Sequence, residues 1–374
     1  MKIVIGKGEL LRGLGRIQSI VEKRNTMPIL ANVHIDARKD GKEAQVELGA
    51  TDLEVGIRSI HPADVKKPGR VTASAKKLYE ILRELPDEPV QLEATPNSYV
   101  ALRCARAAFD LAGNAAEEYP ELPTLVPGET VSLPAPLLGQ MIERTMYAAS
   151  ADETRYNLNG VFVEYLAETG KLRMVATDGH RLAQVDRPLG VALEGIGRGV
   201  IIPRKGLSEL KRLVDEEDAD EIELGIEGSN ALVRKRGVTL AMRLIEGEFP
   251  NYRQVIPQPG KHQVVMQADA IVQALRRVIV IAAERSRAVK LELAPGVLRL
   301  SSNNPDLGEA REEIDVDYMG EELALAFNAR YLLDAFSFLG AKEVRLGVQD
   351  AVSAAQVAPA DDSDTLAVVM PMRL

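Results

Sequence analysis

The sequence predicts an α+β protein made of three repeated domains, each with two helices packed on antiparallel sheets. Two observations support this fold class. Sequence landmarks recur at intervals close to one third of the 374 residues, and each third shows the same order of helix-period and strand-period apolar residues. A repeat that fills a chain indicates an array of similar units. Coincidence among common helix starts and strand ends is the alternative, and the shared order of several landmarks argues against it.

The clearest landmark is ATDGHRLA at residues 176–183, where a predicted strand ends in a polar turn. Weaker copies are ATDLE, beginning at residue 50, and SSNNP, beginning at residue 301, so the intervals are 126 and 125 residues. Helix starts with a basic residue recur as SAKKL from residue 74, PRKGL from 203 and NARYL from 328. The repeat therefore covers the chain.

Six helices follow from apolar residues spaced at the helical period of 3.6. The first helix of each copy is predicted over residues 8–24, 135–149 and 269–287, and the second over 74–85, 203–214 and 328–342. The buried faces of the first helices are expected to contain Leu10, Leu14, Ile17 and Val21; Leu138, Met141, Thr145 and Ala148; Ile271, Leu275, Val278 and Ala282. Those of the second helices should contain Leu78, Leu82 and Leu85; Leu207, Leu210 and Val214; Leu332, Phe336 and Leu339.

Short runs with apolar residues at every second position lie between these helices. Residues two apart share one face of a strand, so the runs predict half-buried antiparallel strands covered by helices on one side. The inward residues are predicted to be Val33, Ile35, Val46 and Leu48; Val161, Val163, Leu172 and Met174; Leu291, Leu293, Leu298 and Leu300.

Two proline-rich segments, residues 118–134 and 249–260, separate the copies. Proline removes a donor from a strand ladder, so such segments join sheets better than they build them. We predict domains at 1–128, 129–257 and 258–374. The acidic run at residues 215–221 is expected to be a solvated loop, with a binding feature as the alternative.

The cysteine content and the N-terminus predict a cytoplasmic protein. Cys104 is the single cysteine, which excludes a disulfide within the chain and is typical of a reducing compartment. Neither a signal peptide nor an apolar run long enough to cross a membrane is expected.

The charge is distributed unevenly between the predicted elements. The chain has a net charge of -9, yet the six predicted helices together carry +9, which leaves -18 for the strands and loops. One interpretation is that Lys and Arg are simply good helix formers. The other is that all six helices face one polyanion, to which Lys and Arg bind through phosphates without reading sequence.

Catalytic chemistry finds little support in the residues. Asp178 and His180 lie together in a turn, but the other histidines have no spacing typical of a metal site. Neither a phosphate-binding loop nor a nucleophile elbow is present in the sequence. We therefore predict a protein without enzymatic activity, cofactor or metal, and we keep a metal-dependent hydrolase as the least favoured alternative.

Seven segments resemble the bacterial DNA polymerase III beta subunit family, the sliding clamps. They are MPILAN at 27–32, ATDLE at 50–54, YNLNG at 156–160, ATDGHRLA at 176–183, IPRKG at 202–206, FPNYR at 249–253 and VVMPMRL at 368–374. The resemblance runs from the first predicted domain to the last residue, in order.

This resemblance implies a processivity factor. Two three-domain chains would close head to tail into a homodimeric ring around duplex DNA, with the helices lining the hole. A topological link needs only modest positive charge inside the ring, which accounts for the charge distribution. The implied partners are the DNA polymerase III alpha subunit, the clamp loader, and other polymerases and repair proteins that bind through short peptides. A monomeric, open nucleic-acid-binding scaffold is the competing hypothesis.

The resemblance also transfers site residues. The family's DNA contacts correspond to Arg24, Tyr156, Arg204 and Lys205, and Asn157 replaces a second tyrosine found in some members. The partner cleft corresponds to Leu158, Thr177, Gly179, His180, Arg181, Leu182, Pro250, Gln254, Val255, Val369, Met370, Pro371, Met372, Arg373 and Leu374, with Gln254 in place of an arginine of some relatives. The dimer interface corresponds to Phe109 and Leu111 on one side and Val280 and Ile281 on the other, flanked by Arg103, Arg106, Glu309, Glu312 and Glu313.

The apolar C-terminus is expected to belong to this cleft, because Met side chains adapt to varied partners. His180, Arg181 and Arg373 are expected to donate hydrogen bonds to a bound peptide. The alternative is a last core strand that simply ends there.

Overall fold

The computed structural model describes residues 1–21, 27–41, 43–122, 130–190, 196–216, 220–283 and 287–373. The chain forms two compact units. The first comprises Met1–Pro136, Leu193–Gly195 and Ser208–Leu244, and the second comprises Leu137–Ala192, Ile196–Leu207 and Ile245–Leu374.

Six α-helices lie in the described part of the chain, two in each predicted copy. They are α1 (Lys7–Ile17), α2 (Ala75–Glu84), α3 (Ala135–Met146), α4 (Arg204–Val214), α5 (Ala268–Val278) and α6 (Ala329–Ser337). Short 3-10 helices occupy Pro28–Ala31, Ala116–Glu118, Glu153–Leu158 and Tyr252–Gln254. The predicted extents of four helices were wrong. The first ends at Ile17 instead of residue 24, the third at Met146 instead of 149, the fifth at Val278 instead of 287, and the sixth at Ser337 instead of 342.

Two of the predicted helix starts have side-chain caps. Ser74 accepts a hydrogen bond from the backbone N–H of Lys77, and Asn328 accepts one from that of Arg330. Each satisfies one of the N–H groups that the first turn of a helix leaves without a partner.

The strands of the first copy are β1 (Lys2–Ile5), β2 (Asn32–Asp40), β3 (Glu43–Thr51), β4 (Val55–Pro62), β5 (Asp64–Lys67), β6 (Gly69–Ser74), β7 (Val90–Ala94), β8 (Val100–Cys104), β9 (Ala107–Leu111) and β10 (Gly113–Asn114). Those of the second copy are β11 (Thr130–Pro134), β12 (Gly160–Leu166), β13 (Lys171–Thr177), β14 (Arg181–Pro188), β15 (Val200–Pro203), β16 (Glu221–Glu227), β17 (Asn230–Lys235) and β18 (Val238–Arg243). The third copy has β19 (His262–Gln267), β20 (Ala288–Ala294), β21 (Val297–Asn304), β22 (Gly308–Asp315), β23 (Leu323–Asn328), β24 (Glu343–Val348), β25 (Ala355–Pro359) and β26 (Thr365–Val369).

The first unit contains two antiparallel sheets. One has the order β5-β1-β7-β8-β9, and the other has the order β10-β6-β2-β3-β4-β18-β17-β16-β11. The second unit contains the sheets β15-β12-β13-β14-β26-β25-β24-β19 and β22-β21-β20-β23. Two large sheets thus continue from one copy into the next, through the pairs β4–β18 and β14–β26.

The predicted inward residues are buried, with one exception. Those on the strands, and those on all six helices apart from Val21, are at most 9% exposed. Val21 lies beyond the end of α1 and is half-buried. Hydrophobic periodicity therefore identified the core correctly even where it overestimated the length of a helix.

The observed helices keep the positive charge that the sequence predicted. They carry fourteen basic and seven acidic residues, a net charge of +7. Shortening the fifth and sixth helices lowers the sum by one charge each, which accounts for the difference from the predicted +9. Cys104 is a free cysteine and is buried. Among the described residues, no helix has the length and apolar character needed to cross a membrane.

Candidate partner-binding cleft and nucleic-acid surface

The turn at residues 177–181 is held by a closed set of hydrogen bonds. The Thr177 hydroxyl donates to the carbonyl of Arg181 at 2.7 Å and accepts the N–H of Gly179 at 3.1 Å. Asp178 Oδ1 accepts the N–H groups of His180 and Arg181 at 2.9 and 3.0 Å. Gly179 has a φ of +87°, a conformation that glycine adopts without a steric penalty. Asp178 is a turn-forming residue here.

Arg181 is anchored inside the protein. Its Nε donates to Asp178 Oδ2 at 3.1 Å, one terminal nitrogen to Asp334 Oδ2 at 2.6 Å, and the other to the carbonyl of Tyr147 at 2.7 Å. The guanidinium also lies 4.6 Å from the ring centre of Tyr331. All three guanidinium nitrogens therefore donate within the fold and hold the turn. Because a guanidinium has five N–H donors, a hydrogen bond from Arg181 to a bound peptide stays a prediction.

The C-terminal segment runs beside this turn. Arg181 pairs with Val369 at the end of β26, and the next N–H, from Met370, donates to the carbonyl of His180 at 2.9 Å. The N–H of Met372 donates to the carbonyl of Ala326 on β23 at 2.7 Å. The segment is thus attached at two points, and the structure supports both readings of it: residues up to Val369 form a core strand, and the following residues lie on the surface.

An apolar cluster lies between the turn and the second proline-rich segment. Its buried members are Val175, Leu182, Tyr252 and Val368. Phe162 and Phe249 pack against it and stack on each other with their ring centres 5.0 Å apart. Burial, followed by a hydrogen bond to Glu164, raises the pKa of Tyr252 to about 12. Tyr252 thus remains a neutral phenol at physiological pH.

The predicted cleft residues divide into a buried base and an exposed rim. Leu158, Thr177, Leu182 and Val369 are buried, so they support the surface from below. Gly179, His180, Pro250, Gln254, Val255, Met370 and Arg373 are exposed, and Arg181, Pro371 and Met372 are half-buried. Leu374 lies outside the described residues.

Sequence reasoning missed the residues that hold the turn in place. Tyr147, Tyr331 and Asp334 surround Arg181, and Arg155 donates to the carbonyl of Asp178 at 3.4 Å. The available signal was Asp334, which lies among the buried residues of α6. A buried Asp needs a cationic or hydrogen-bonding partner. The identity of that partner is a tertiary property.

Three of the four predicted DNA-binding residues lie in described parts of the second unit. The N–H of Arg204, at the start of α4, donates to the carbonyl of Asn159 at 2.9 Å, which brings α4 next to the 3-10 helix that contains Tyr156. Tyr156 and Arg204 are exposed, and Lys205 is half-buried. Asn157 donates to the carbonyl of Glu248 at 3.1 Å. Arg24 lies outside the described residues.

The predicted dimer residues lie on edge strands or beside them. Arg103 is on β8, Arg106 is in the turn after it, and Phe109 and Leu111 are on β9, which ends its sheet. Glu309, Glu312 and Glu313 are on β22, an edge of another sheet, while Val280 and Ile281 follow α5. Each glutamate has an arginine partner within the chain: Arg311, Arg277 and Arg299, respectively.

Models of three domains match consecutive parts of this chain. They describe the N-terminal, central and C-terminal domains of DNA polymerase III beta subunit, over residues 1–123, 132–251 and 253–373. The chain belongs to the DNA polymerase III beta subunit family. This family is the sliding clamp, a non-catalytic processivity factor of DNA replication. The hydrolase alternative was therefore wrong.

Relatives match along the whole sliding clamp chain. Proteins called beta sliding clamp from Caulobacter vibrioides, Pseudomonas aeruginosa and Escherichia coli K12 are 36%, 34% and 33% identical, with 100% of both chains covered in each case. The crystal structure of DNA polymerase III subunit beta from P. aeruginosa is similar at a TM-score of 0.92, 33% identity and 100% coverage of both chains. A crystal structure of the Caulobacter crescentus beta sliding clamp is similar at a TM-score of 0.93, with 36% identity and 100% coverage of both chains.

Proposed function

We propose that two copies of this chain close head to tail into a ring that encircles duplex DNA without sequence preference. Its cleft would tether the DNA polymerase III alpha subunit, the clamp loader, and other polymerases and repair proteins through short linear peptides. The observation that carries the ring is a pair of exposed edge strands, β9 and β22, which end two different sheets. We retain the domain boundaries 1–128, 129–257 and 258–374 and the cytoplasmic location as parts of this proposal.

Exposed edge strands favour pairing with another chain, because their N–H and C=O groups have no ladder partner. Most residues of β9 and alternate residues of β22 are exposed. In the first two copies the strands equivalent to β22 are β4 and β14, and these pair with β18 and β26. The strand equivalent to β18 and β26 in the first copy is β9. The repeat therefore leaves one such pair unmade, which two chains can form.

The internal pairs also predict the register of this contact. Val238, the first residue of β18, lies opposite Ser59, and Thr365, the first residue of β26, lies opposite Val185. By the repeat, Ala107 of one chain should lie opposite Glu312 of the other.

Phe109 should then lie opposite Ala310, and Leu111 opposite Gly308. Ala310 is on the face of β22 that packs on the helix-covered core. This register therefore turns Phe109 and Leu111 towards the end of α5, where Val280 and Ile281 lie. The predicted apolar contact and the predicted strand pairing are mutually consistent.

Substituting Ile281 tests the ring interface. Val280 is 72% exposed in the single chain, and burying an apolar side chain of this size contributes roughly 1.5–3 kcal/mol before association costs. Ile281→Lys should yield monomers by light scattering. Val352→Lys, at an exposed position between β24 and β25, should remain dimeric. An unchanged mass for Ile281→Lys would place the interface elsewhere.

The basic helices support DNA as the polyanion. Arg204 and Lys205 begin α4, the helix with the highest net charge among those described. Replacing both with Ala should reduce the magnitude of the salt dependence of DNA binding by about one unit of slope per residue, without changing sequence preference. Arg234→Ala, on β17, is the matched control and should leave the slope unchanged. An unaltered salt dependence for the double variant would mean that α4 does not face the DNA.

The rim residues support a peptide cleft. An apolar surface with a few polar groups and an adaptable Met suits short peptides with an apolar anchor. Deleting residues 370–374 should abolish peptide binding in fluorescence anisotropy while the dimer and its melting temperature stay nearly unchanged. Met370→Ser should weaken binding, whereas Met319→Ser, at a more exposed position off the cleft (84% against 45%), should not. Surviving affinity would refute the cleft assignment, and unfolding would favour the core-strand reading.

A topological test separates the ring from the open scaffold. After loading, a closed ring stays on circular DNA and slides off when that DNA is cut. Retention on the linear form would favour the monomeric scaffold.

A further inference from the structure

The first helix of each copy contains an arginine at the same position. It follows the first buried residue of the helical face by six positions and directly precedes another buried residue. The three arginines are Arg16 on α1, Arg144 on α3 and Arg277 on α5. Position on a helix fixes the direction of a side chain, so the three should point to equivalent places in their copies.

Arg16 binds both its own copy and the following one. It donates to Ser59 Oγ on β4 at 3.1 Å and makes two hydrogen bonds to Glu216, at 3.0 and 2.5 Å. Its side chain is 12% exposed. Ser59 lies in the N-terminal domain of the family, and Glu216 lies in the central domain, in the loop after α4.

Arg144 also reaches into the following domain. It donates to Thr365 Oγ1 at 3.3 Å and lies 3.5 Å from Asp362 Oδ2, and its side chain is 16% exposed. Arg144 belongs to the central domain, whereas Asp362 and Thr365 belong to the C-terminal domain. An arginine from the first helix thus joins each domain to the next one in the chain.

Arg277 lies in the C-terminal domain of the family and makes the contact within that domain. It forms two hydrogen bonds of 2.9 Å to Glu312 on β22, the position that corresponds to Ser59 on β4. Its side chain is 55% exposed, in contrast to the nearly buried Arg16 and Arg144. Among the described residues, the ion pair to Glu312 is the one recorded for Arg277, so a counterpart to the carboxylates that meet Arg16 and Arg144 from the following domain is not found there.

We propose that Arg277 reaches across the subunit interface to a carboxylate in the N-terminal domain of a second copy of this chain. The proposal rests on the head-to-tail dimer proposed above. The carboxylate that accepts from Arg277 lies in the loop at residues 85–89 after α2, which corresponds to the loop that contains Glu216 after α4. That loop contains two exposed acids, Asp87 and Glu88. The other equivalent position, the turn between β8 and β9, contains Arg106 and offers no carboxylate.

The contact should contribute strongly to association. An arginine that becomes desolvated against a carboxylate is typical of interface residues whose truncation costs more than 1 kcal/mol. A closed two-chain ring contains the interface twice. A loss of roughly tenfold in affinity at each interface therefore becomes a loss of about a hundredfold in the dimer dissociation constant.

Sedimentation of the full chain over a dilution series tests the proposal. Arg277→Met should raise the dimer dissociation constant about a hundredfold, while Arg276→Met, at the adjacent exposed position, should leave it unchanged. Both variants should have the melting temperature of the unmodified protein when all three are measured as monomers. If the unmodified protein and Arg277→Met dimerise with the same dissociation constant, the proposed role of Arg277 is overturned, while the proposed ring stands. An unmodified chain that stays monomeric would overturn both.

A double-mutant cycle identifies the acceptor. The variant Asp87→Asn/Glu88→Gln should weaken the dimer, and adding Arg277→Met to it should cause little further loss, because the two changes remove the same contact. Full additivity would refute an acceptor in this loop. A parallel cycle with Glu312→Gln measures the ion pair within the chain. Coupling to Glu312 alone would mean that Arg277 acts inside its own subunit, and this result would also overturn the proposal.

Discussion

Replacing Arg181 with Met separates a structural role from a ligand-binding role. The guanidinium has three nitrogen-to-oxygen contacts of 2.6 to 3.1 Å within the fold, and its side chain is 12% exposed. Removing one partner of a buried ion pair costs about 3–5 kcal/mol, because the remaining charge stays desolvated. Asp334 would retain its 3.1 Å contact with Arg330, so we expect a loss near the lower end, about 3 kcal/mol.

The assay combines denaturant unfolding with peptide anisotropy on the same samples. Arg181→Met should lower the free energy of unfolding by that amount and weaken peptide binding as the turn loosens. Arg373→Met is the matched control, because Arg373 is an exposed rim arginine. We expect it to leave stability unchanged and to reduce affinity by less than tenfold, as is usual for a rim charge.

The alternative outcome is equally clear. An Arg181→Met variant with unchanged stability and abolished peptide binding would show that the guanidinium serves the ligand. The internal hydrogen bonds would then have little energetic weight. A cycle with Asp334→Asn would confirm the structural role if the two losses of stability are strongly non-additive.

Three further predictions concern the first unit. Burial lowers the pKa of His61 below its ordinary 6.5, so the unfolded chain binds the proton more tightly than the folded chain. The free energy of unfolding is therefore retained above pH 6.5 and decreases below it by up to about 1.4 kcal/mol per pH unit. His61→Gln should reduce this pH dependence in denaturant titrations at pH 5–7. Gly13→Ala should destabilise by about 1–3 kcal/mol, because its Cβ would lie 2.5 Å from His61 Nε2 and 2.6 Å from Leu48 Cδ1; wild-type stability would show that these side chains yield freely. Leu53 has a positive φ of +79°, like Gly179 in the equivalent turn, so Leu53→Gly should raise the free energy of unfolding by about 0.5–1 kcal/mol. A lower free energy of unfolding would mean that the packing of the leucine side chain outweighs its backbone strain.

The repeat and the core were determined by the sequence. Apolar spacing depends on the local periods of helix and strand, so Leu10 and Leu48 were assigned to the core correctly. The turn copies at residues 51–55 and 177–181 share the same hydrogen bonds, because Thr and Asp side chains bind the backbone two to four residues on. These interactions are local.

The helix ends were less well predicted, because propensity changes little at a boundary where tertiary contacts stop. Residues 279–283 continue the apolar pattern of α5, yet the chain leaves the helix at Val278. This turn exposes Val280, the apolar residue that the family resemblance assigns to the dimer interface. A sequence period alone contains no information about such an end.

The partners of long polar side chains were decided by the tertiary structure alone. Arg181 reads from sequence as a donor at the rim of a cleft, but Asp334, 153 residues away, draws it inward. Arg16 and Arg277 occupy equivalent helix positions, yet one is nearly buried and the other half exposed, because Glu216 of the central domain covers Arg16 whereas Arg277 pairs within its own domain. Helical and strand periods reflect interactions over a few residues, whereas a guanidinium binds whichever carboxylate the packed sheets bring within about 3 Å.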